Sequence, residues 1–401
     1  MSGSTTRRGF LQAVAGAAAA TAGVLRVHTP RAAETPAAPA GPPAPELRKV
    51  ILVVFGGGTR SSEAIDDPEH RWIPNLWHRM APRGTLWTNM RVEHRVVHPN
   101  STGSIKTGHW EWDDIDWSRP PAHPTIFELF RKHRDAPDTA AWSLVYASIL
   151  NKTGESLARG YGARFAANVV EPPTIPRSAA REMDRRMARA AGGGSAEAGR
   201  KAAAECAELA RTASRIDTAG LRSGDARRWL EGEYQGWKHA RRTTSHDAFL
   251  ADRAVGCMRR FAPGVMSVDF GEIDCAHYGS WSRYVEAIRR TDALAWRLWQ
   301  AAAALPEYRD RTLMLILPDH GRELDRPGSG GFLHHSDFYT GQGADEGCRR
   351  VWMLALGPGI AAGRRIDRPT PITAAAPTAA EYLDLPISPR AAPSVLQAAT
   401  A

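Results

Sequence analysis

The sequence predicts an α/β domain built on a doubly wound, mostly parallel sheet flanked by helices, and three observations predict it. Four short apolar runs each end in a turn rich in glycine or polar residues, the pattern of parallel strands buried on both faces. Helical stretches separate these runs, so strand, loop and helix alternate along the chain. The composition is globular: 401 residues, 43% hydrophobic and 24% charged. That profile excludes disorder and collagen-like repeats and allows a large core.

The elements follow in chain order. Arg7-Arg8-Gly9-Phe10-Leu11, followed by an uncharged run over residues 13–25, resembles a twin-arginine export signal. Residues 1–33 are therefore expected to be a signal peptide, and the protein to be exported by the twin-arginine machinery to the periplasm or the exterior. The uncharged run is shorter than the ~20 residues a membrane helix needs, so no stable membrane span is expected. Residues 34–47 read as a Pro/Ala linker with nothing to bury, and residues 48–401 as the folded domain.

Within that domain, residues 50–55 (VILVVF) read as a central strand entering Gly56-Gly57-Gly58. Residues 264–269 (GVMSVD), 312–317 (TLMLIL) and 351–356 (VWMLAL) read as three more strands. Residues 284–305 carry Val285, Ile288, Leu294 and Leu298 at near-helical spacing. Residues 176–242, dense in Ala, Arg and Glu, read as a helical insertion. The six tryptophans from Trp72 to Trp117 read as core packing rather than a stacking surface.

The formal charge of +9 comes from 52 basic and 43 acidic residues, and only six of the basic ones are lysines. No Lys/Arg run reaches five residues, so the chain lacks the basic stripe of a nucleic-acid binder. A small anionic substrate fits the charge better. Four cysteines without a C-x-x-C pair exclude a zinc ribbon and a disulfide-dense scaffold, and leave one bridge open.

Polar residues placed just after buried strands converge at one edge of a parallel sheet, where ligands bind. Three clusters hold that position: Glu272 to Gly279 with Asp274 and His277, then Asp319-His320, then His334-His335-Ser336-Asp337. Mixed carboxylate and imidazole donors suit zinc or manganese, and carboxylate-rich sets suit magnesium or calcium. One or two divalent ions are therefore expected.

The order of motifs resembles the alkaline phosphatase superfamily, which includes sulfatases, phosphodiesterases and cofactor-independent phosphomutases. Pro74-Asn75-Leu76 with the segment to Asn89, Thr107-Gly108, Asp274 with His277, Asp319-His320-Gly321, His335 or His334, Gly357-Pro358-Gly359-Ile360 and the 376–386 ending carry the resemblance. It implies a metal-dependent hydrolase of phosphate or sulfate esters. Asp274, His277 and His335 would hold one ion, and Asp319 with His320 would help hold another. Ser101 or Thr102 would be the nucleophile at a helix start, and Arg60, Arg322 and His98 would contact the substrate.

The chain departs from the family pattern in three places. The first strand ends in Phe55-Gly56-Gly57 instead of a metal-binding aspartate. Counting back from Thr107-Gly108 brings His98 to the nucleophile position, or Val97 if Pro99-Asn100 is aligned with the phosphodiesterase form, and a one-residue register change would bring Ser101 or Thr102 to the helix start. The Asp274-to-His277 interval is one residue short. Glu63, Asp66, Asp67, Glu111, Asp113, Asp114 and Asp116 are candidate replacements for the missing carboxylate. A non-catalytic descendant of the fold and a phosphoryl-transfer or mutase enzyme are the alternative functions.

Overall fold

A computed structural model of the chain describes residues 48–114, 116–192, 195–239, 245–277, 281–324 and 345–400. The expected signal peptide and linker, and the His334–Asp337 cluster, lie outside the described residues. The sheet has nine strands among those described, in the order β4-β3-β5-β1-β6-β7-β2-β8, with β9 pairing to β2. The strands are β1 Lys49–Phe55, β2 Thr85–Arg91, β3 Ala141–Val145, β4 Asn168–Val170, β5 Val265–Phe270, β6 Thr312–Pro318, β7 Arg350–Leu356, β8 Arg364–Ile366 and β9 Thr370–Pro371.

β1 lies between β5 and β6 and runs parallel to both, with Phe55 opposite Phe270 on one side and Pro318 on the other. The three strands therefore end level with one another, and the residues that follow them emerge at one rim. β7 is antiparallel to β6 and to β2, so the sheet is mixed on that side. The four strands expected from the sequence are all present, within one residue at either end.

Alternation along β1 divides the core into two layers. Ile51, Val53 and Phe55 pack on one face with α6 (His246–Phe261) and α7 (Trp281–Ala304). Val50 and Leu52 pack on the other with α1 (His98–Thr107), α2 (Ile126–His133) and α9 (Ala375–Tyr382). Both faces are covered, which is why β1 tolerates no polar residue after Lys49. Trp87, Trp142 and Trp352 are fully buried, while Trp72, Trp77 and Trp110 pack partly buried against the two layers. Residues 176–242 contain the helices α3 (Arg177–Gly192), α4 (Ala196–Ala213) and α5 (Gly224–His239). All four cysteines are free, so the one bridge left open does not form. No helix of the described residues is long and apolar enough to cross a membrane.

The Asn75-Leu76 motif has a structural role. Asp292 of α7 accepts hydrogen bonds from the backbone N–H groups of Asn75 (2.9 Å) and Leu76 (2.7 Å) and from Asn75 Nδ2 (2.7 Å). Burial, only partly offset by these donors, pushes the carboxyl up to about 6. The folded state then holds this proton more tightly than the unfolded chain, whose aspartates titrate near ~3.9. This contribution to stability is present at low pH and is lost as the pH rises through about 6. The expected outcome is a flatter stability profile from about pH 4 to 7 in Asp292→Asn than in wild type, read from urea midpoints across that range.

α1 is buried along its whole length although most of it is polar. It stays anchored because Lys106 Nζ donates to Asp269 Oδ2 (2.6 Å), Thr153 Oγ1 (2.7 Å) and Ser143 Oγ (3.0 Å). Burial pushes the ammonium down and the Asp269 carboxyl up, and each charge restrains the shift of the other. Lys106→Met leaves Asp269 buried without its cation and is expected to cost ~3–5 kcal/mol in urea unfolding. The double replacement with Asp269→Leu should cost less than the single one.

Candidate active site

Val97, extended at φ −144° and ψ 145°, starts α1, so His98 is its first helical residue and Pro99 its second. Proline suits that place because its missing N–H has no helical partner to lose there. At the other end Gly108 adopts φ 80°, and its N–H closes on Ser104 O. A side chain at Gly108 would also meet the Pro377 ring at 2.8 Å. The Thr107-Gly108 motif is thus a helix stop fitted against α9.

His98 is buried between two carboxylates. Its Nδ1 lies 2.7 Å from Asp319 Oδ2 and its Nε2 lies 3.2 Å from Asp274 Oδ1. Asp319, at the exit of β6, also accepts backbone hydrogen bonds from His320 (2.8 Å), Gly58 (3.3 Å) and Gly57 (3.4 Å). His320 Nδ1 lies 2.7 Å from Gly321 O. A carbonyl only accepts, so Nδ1 carries the proton and Nε2 presents a lone pair. That Nε2 stands 2.8 Å from His98 Nδ1, with the two rings 4.5 Å apart.

The charges follow from these contacts. Burial pulls His98 down, but Asp319 and Asp274 outweigh it and raise the imidazole to about 9, so it is cationic at neutral pH. His320, desolvated beside that cation, is pushed down to about 4 and is neutral. Burial opposes ionisation of Asp319, yet the neighbouring imidazoles and its hydrogen bonds hold it below the usual carboxylate range. Tyr146, at the exit of β3, lies edge-on to His98 at 6.2 Å, and burial first, then four surrounding carboxylates, push its phenol well above the ordinary value.

His98, Asp319 and His320 each offer a donor atom within 4.8 Å of the others, and all three residues are buried. An imidazole held at one nitrogen by a carbonyl, with the other aimed inward, is the usual posture of a metal-binding histidine. The donor set of two imidazoles and a carboxylate suits a zinc- or manganese-type ion. The residues present therefore fit a metal ion. Asp274, 31% exposed at its side chain, is the carboxylate on the open side of this cluster.

The other expected site residues fall into different places. Ser101 and Thr102 lie in the second turn of α1, buried, and neither hydroxyl has a hydrogen-bond partner among the described residues. The helix starts three residues before Ser101, so the register change that would bring either hydroxyl to its start is not adopted. The Arg60 guanidinium forks onto Glu63, Nε to Oε2 at 2.7 Å and Nη2 to Oε1 at 2.9 Å, instead of standing ready for a substrate. Arg322 is spent on backbone carbonyls of Gly57, Gly58 and Ile273. His277 ends the short helix Glu272–His277, but its side chain lies outside the described part, as does all of His335.

The candidate replacements for the missing carboxylate are engaged elsewhere. Glu63 pairs with Arg60, Asp66 with Arg350 and Asp67 with Arg71. Glu111 pairs with His123, Asp113 with His94 and Asp114 with Arg119, and Asp116 accepts from Ser118. The contribution that sequence reasoning placed among substrate contacts is His98 itself, which stands at the helix start and bridges both carboxylates. The count back from Thr107-Gly108 was the signal that located it.

Glycines shape the rim where β1 exits. Gly57 has φ +105°, and a Cβ there would stand 2.3 Å from the Asp274 backbone nitrogen. A Cβ on Gly56 would stand 2.4 Å from Phe270 O. The exit of β1 is thus pressed against the exit of β5, and no aspartate fits where the family resemblance expects one. Gly57→Ala is expected to lower the melting temperature by several degrees, through strain at positive φ and the clash with the Asp274 backbone. Gly232→Ala, mid-helix with nothing within 4 Å, serves as the control and is expected to stabilise by ~0.5–1 kcal/mol.

No known family's sequence pattern matches this chain, and no curated protein is similar to it in sequence. Solved structures do share its fold. A phosphonate monoester hydrolase of Agrobacterium radiobacter is 15% identical with a TM-score of 0.52, over 88% of this chain and 77% of its own. A putative sulfatase from Bacteroides thetaiotaomicron is 11% identical with a TM-score of 0.52, over 88% and 74%. A protein in the alkaline phosphatase superfamily from Vibrio parahaemolyticus is 13% identical with a TM-score of 0.50, over 87% and 70%. The chain has the alkaline phosphatase-like fold.

Proposed function

With this fold as the premise, we propose that the protein is an exported, metal-dependent hydrolase of phosphate or sulfate esters. The observation that carries the reading is the buried His98–Asp319–His320 cluster at the start of α1, with Asp274 on its open side. His98, Asp319 and His320 would hold a divalent ion, and His277 and His335 are further ligands that the sequence resemblance suggests; Asp274, a ligand in that resemblance, is assigned to proton transfer here. Bound there, the ion would act as a Lewis acid on a phosphoryl or sulfuryl oxygen. The Arg7-Arg8 segment supports the export part of the reading.

The chain's own groups supply the rest. Water attacks phosphorus or sulfur, the bond to the ester oxygen breaks, and the leaving oxygen takes up a proton. Asp274 is the exposed carboxylate that accepts a proton from the attacking water. His98 Nε2–H, directed at Asp274 from 3.2 Å, orients that carboxylate, and the leaving oxygen takes its proton from solvent. Asp319 lies against Nδ1, the imidazole nitrogen that would give up its proton to bind the ion. The start of α1 would offer the anion backbone N–H groups and the positive end of a helix.

The test is turnover of aryl phosphate, aryl phosphodiester and aryl sulfate substrates by the purified chain, with zinc, manganese, calcium or magnesium added. Turnover of at least one substrate is expected, with a loss of ~10²–10⁴-fold in His98→Ala and Asp319→Ala. Absence of turnover with every metal would end this reading.

A second reading, a non-catalytic binding protein of the same fold, is favoured by one observation. An imidazole stands where the resemblance expects a hydroxyl, and the hydroxyls of Ser101 and Thr102 are sealed inside α1. A rise in melting temperature with inorganic phosphate or sulfate, without turnover of any ester, would select it.

A further inference from the structure

A cavity of about 510 Å³ is lined by Tyr146, Asp247, Gly271, Glu272, Cys275 and Arg290, with further residues of α7 at its mouth. Two of these residues fix its position. Tyr146 stands edge-on to His98, and Cys275 follows Asp274 in the chain. The cavity therefore adjoins the open side of the His98 cluster, where Asp274 stands.

Asp247, the second residue of α6, is 1% exposed and yet lines this cavity. Its Oδ1 accepts from the Gly271 N–H at 2.8 Å and its Oδ2 from the Glu272 N–H at 3.0 Å. Each oxygen of a carboxylate has room for a second donor. The two backbone bonds do not offset burial, which with the charge of Glu272 pushes the Asp247 carboxyl up to about 7. Glu272 itself is held by Arg290. Tyr146 packs on the same glycine, so closely that a Cβ on Gly271 would lie 2.0 Å from its Cγ. The Tyr146 hydroxyl is buried and has no hydrogen-bond partner among the described residues. A buried polar atom without a partner is costly, and one in the wall of a cavity is placed to meet a ligand.

The cavity thus offers an acceptor and a donor that the chain itself does not use up. A hydroxyl group answers both, because it donates and accepts at once, whereas an ammonium only donates and a carbonyl only accepts. The carboxylates of the wall also disfavour the anionic end of an ester, which the His98 cluster and its ion would attract. We infer that this cavity receives the leaving alcohol, and that Asp247 selects an alcohol carrying a second hydroxyl, which donates to Asp247 and accepts from Tyr146. Asp247 is then a specificity-determining residue, and the substrate is an ester of a polyol. The inference deepens the hydrolase reading above and rests on it.

The test compares kcat/KM within matched pairs of esters, each as the phosphate and as the sulfate, with the metal that supports aryl ester turnover. Glyceryl is set against propyl, glucose 6-ester against cyclohexylmethyl, and 2-aminoethyl against ethyl. The first two pairs separate an acyclic polyol from a sugar. At least one hydroxyl-bearing ester is expected to exceed its match by ~10-fold or more. Asp247→Asn should bring that ratio close to one. Tyr146→Phe, which removes a hydroxyl that the fold does not use, should lower it by about 3-fold.

A merely structural role would lower both esters of a pair alike, so an unchanged ratio in Asp247→Asn would overturn the inference. Aryl ester turnover without a hydroxyl preference, or with the preference on the aminoethyl ester, would also overturn it and leave the hydrolase reading standing. No turnover of any ester, aryl ones included, would overturn both. If Asp247→Asn does not fold, the wild-type ratios and Tyr146→Phe still decide the question.

Discussion

The level ending of β1, β5 and β6 is the constraint on which the site depends. Parallel pairing puts Phe55, Phe270 and Pro318 side by side, so Gly57, Asp274 and Asp319, which follow within a few residues, must share one rim. The backbone there is packed too closely for side chains at Gly56 and Gly57, and its N–H groups turn to Asp319 instead. A carboxylate that receives three backbone donors and an imidazole stays ionised while buried. That ionised carboxylate in turn keeps His98 protonated and oriented.

α1 brings the other half of the site and is held from below. Its outward end presents His98 to the carboxylates, while Lys106, two turns further on, is bound to Asp269 within the sheet. Because the whole helix is buried, the imidazole cannot swing away without disturbing the packing on both sides. The polar character of α1 is the local cost of a site built inside the fold rather than on its surface. Asp292 plays a similar role at the other side of the sheet, fixing the Asn75-Leu76 turn against α7.

Much of the fold was legible because burial on both faces leaves a strong one-dimensional trace. The runs at 50–55, 264–269, 312–317 and 351–356 are continuous and apolar, and each became a strand. β2, β3, β4, β8 and β9 were not legible: β2 is interrupted by the polar Thr88 and Asn89, and the others are short or lie toward the edges, where the apolar trace is weak. The candidate site was partly legible. Asp274, Asp319, His320 and His98 were all singled out, but Ser101 and Thr102 were placed at a helix start that the chain sets at His98. A helix boundary depends on backbone angles at Val97 and on Pro99, and a shift of three residues exchanges a hydroxyl for an imidazole. Arg60 and Arg322 looked equally available in the sequence, yet Glu63 and the backbone carbonyls of the β1 exit take them up, and neither partner is predictable from local spacing.

By itself the sequence determined the layer order, the central strands and the strand ends that carry acidic and imidazole groups, because those depend on periodicity and on short-range turn chemistry. The tertiary structure alone decided which of those groups meet. Residues 57, 98, 274 and 319 are far apart in the chain, and their mutual distances are set by strand register and by how closely Gly57 can approach Asp274. Contacts of that kind arise from packing in three dimensions, where a difference of one ångström separates a hydrogen bond from a clash, and no spacing along the chain encodes it.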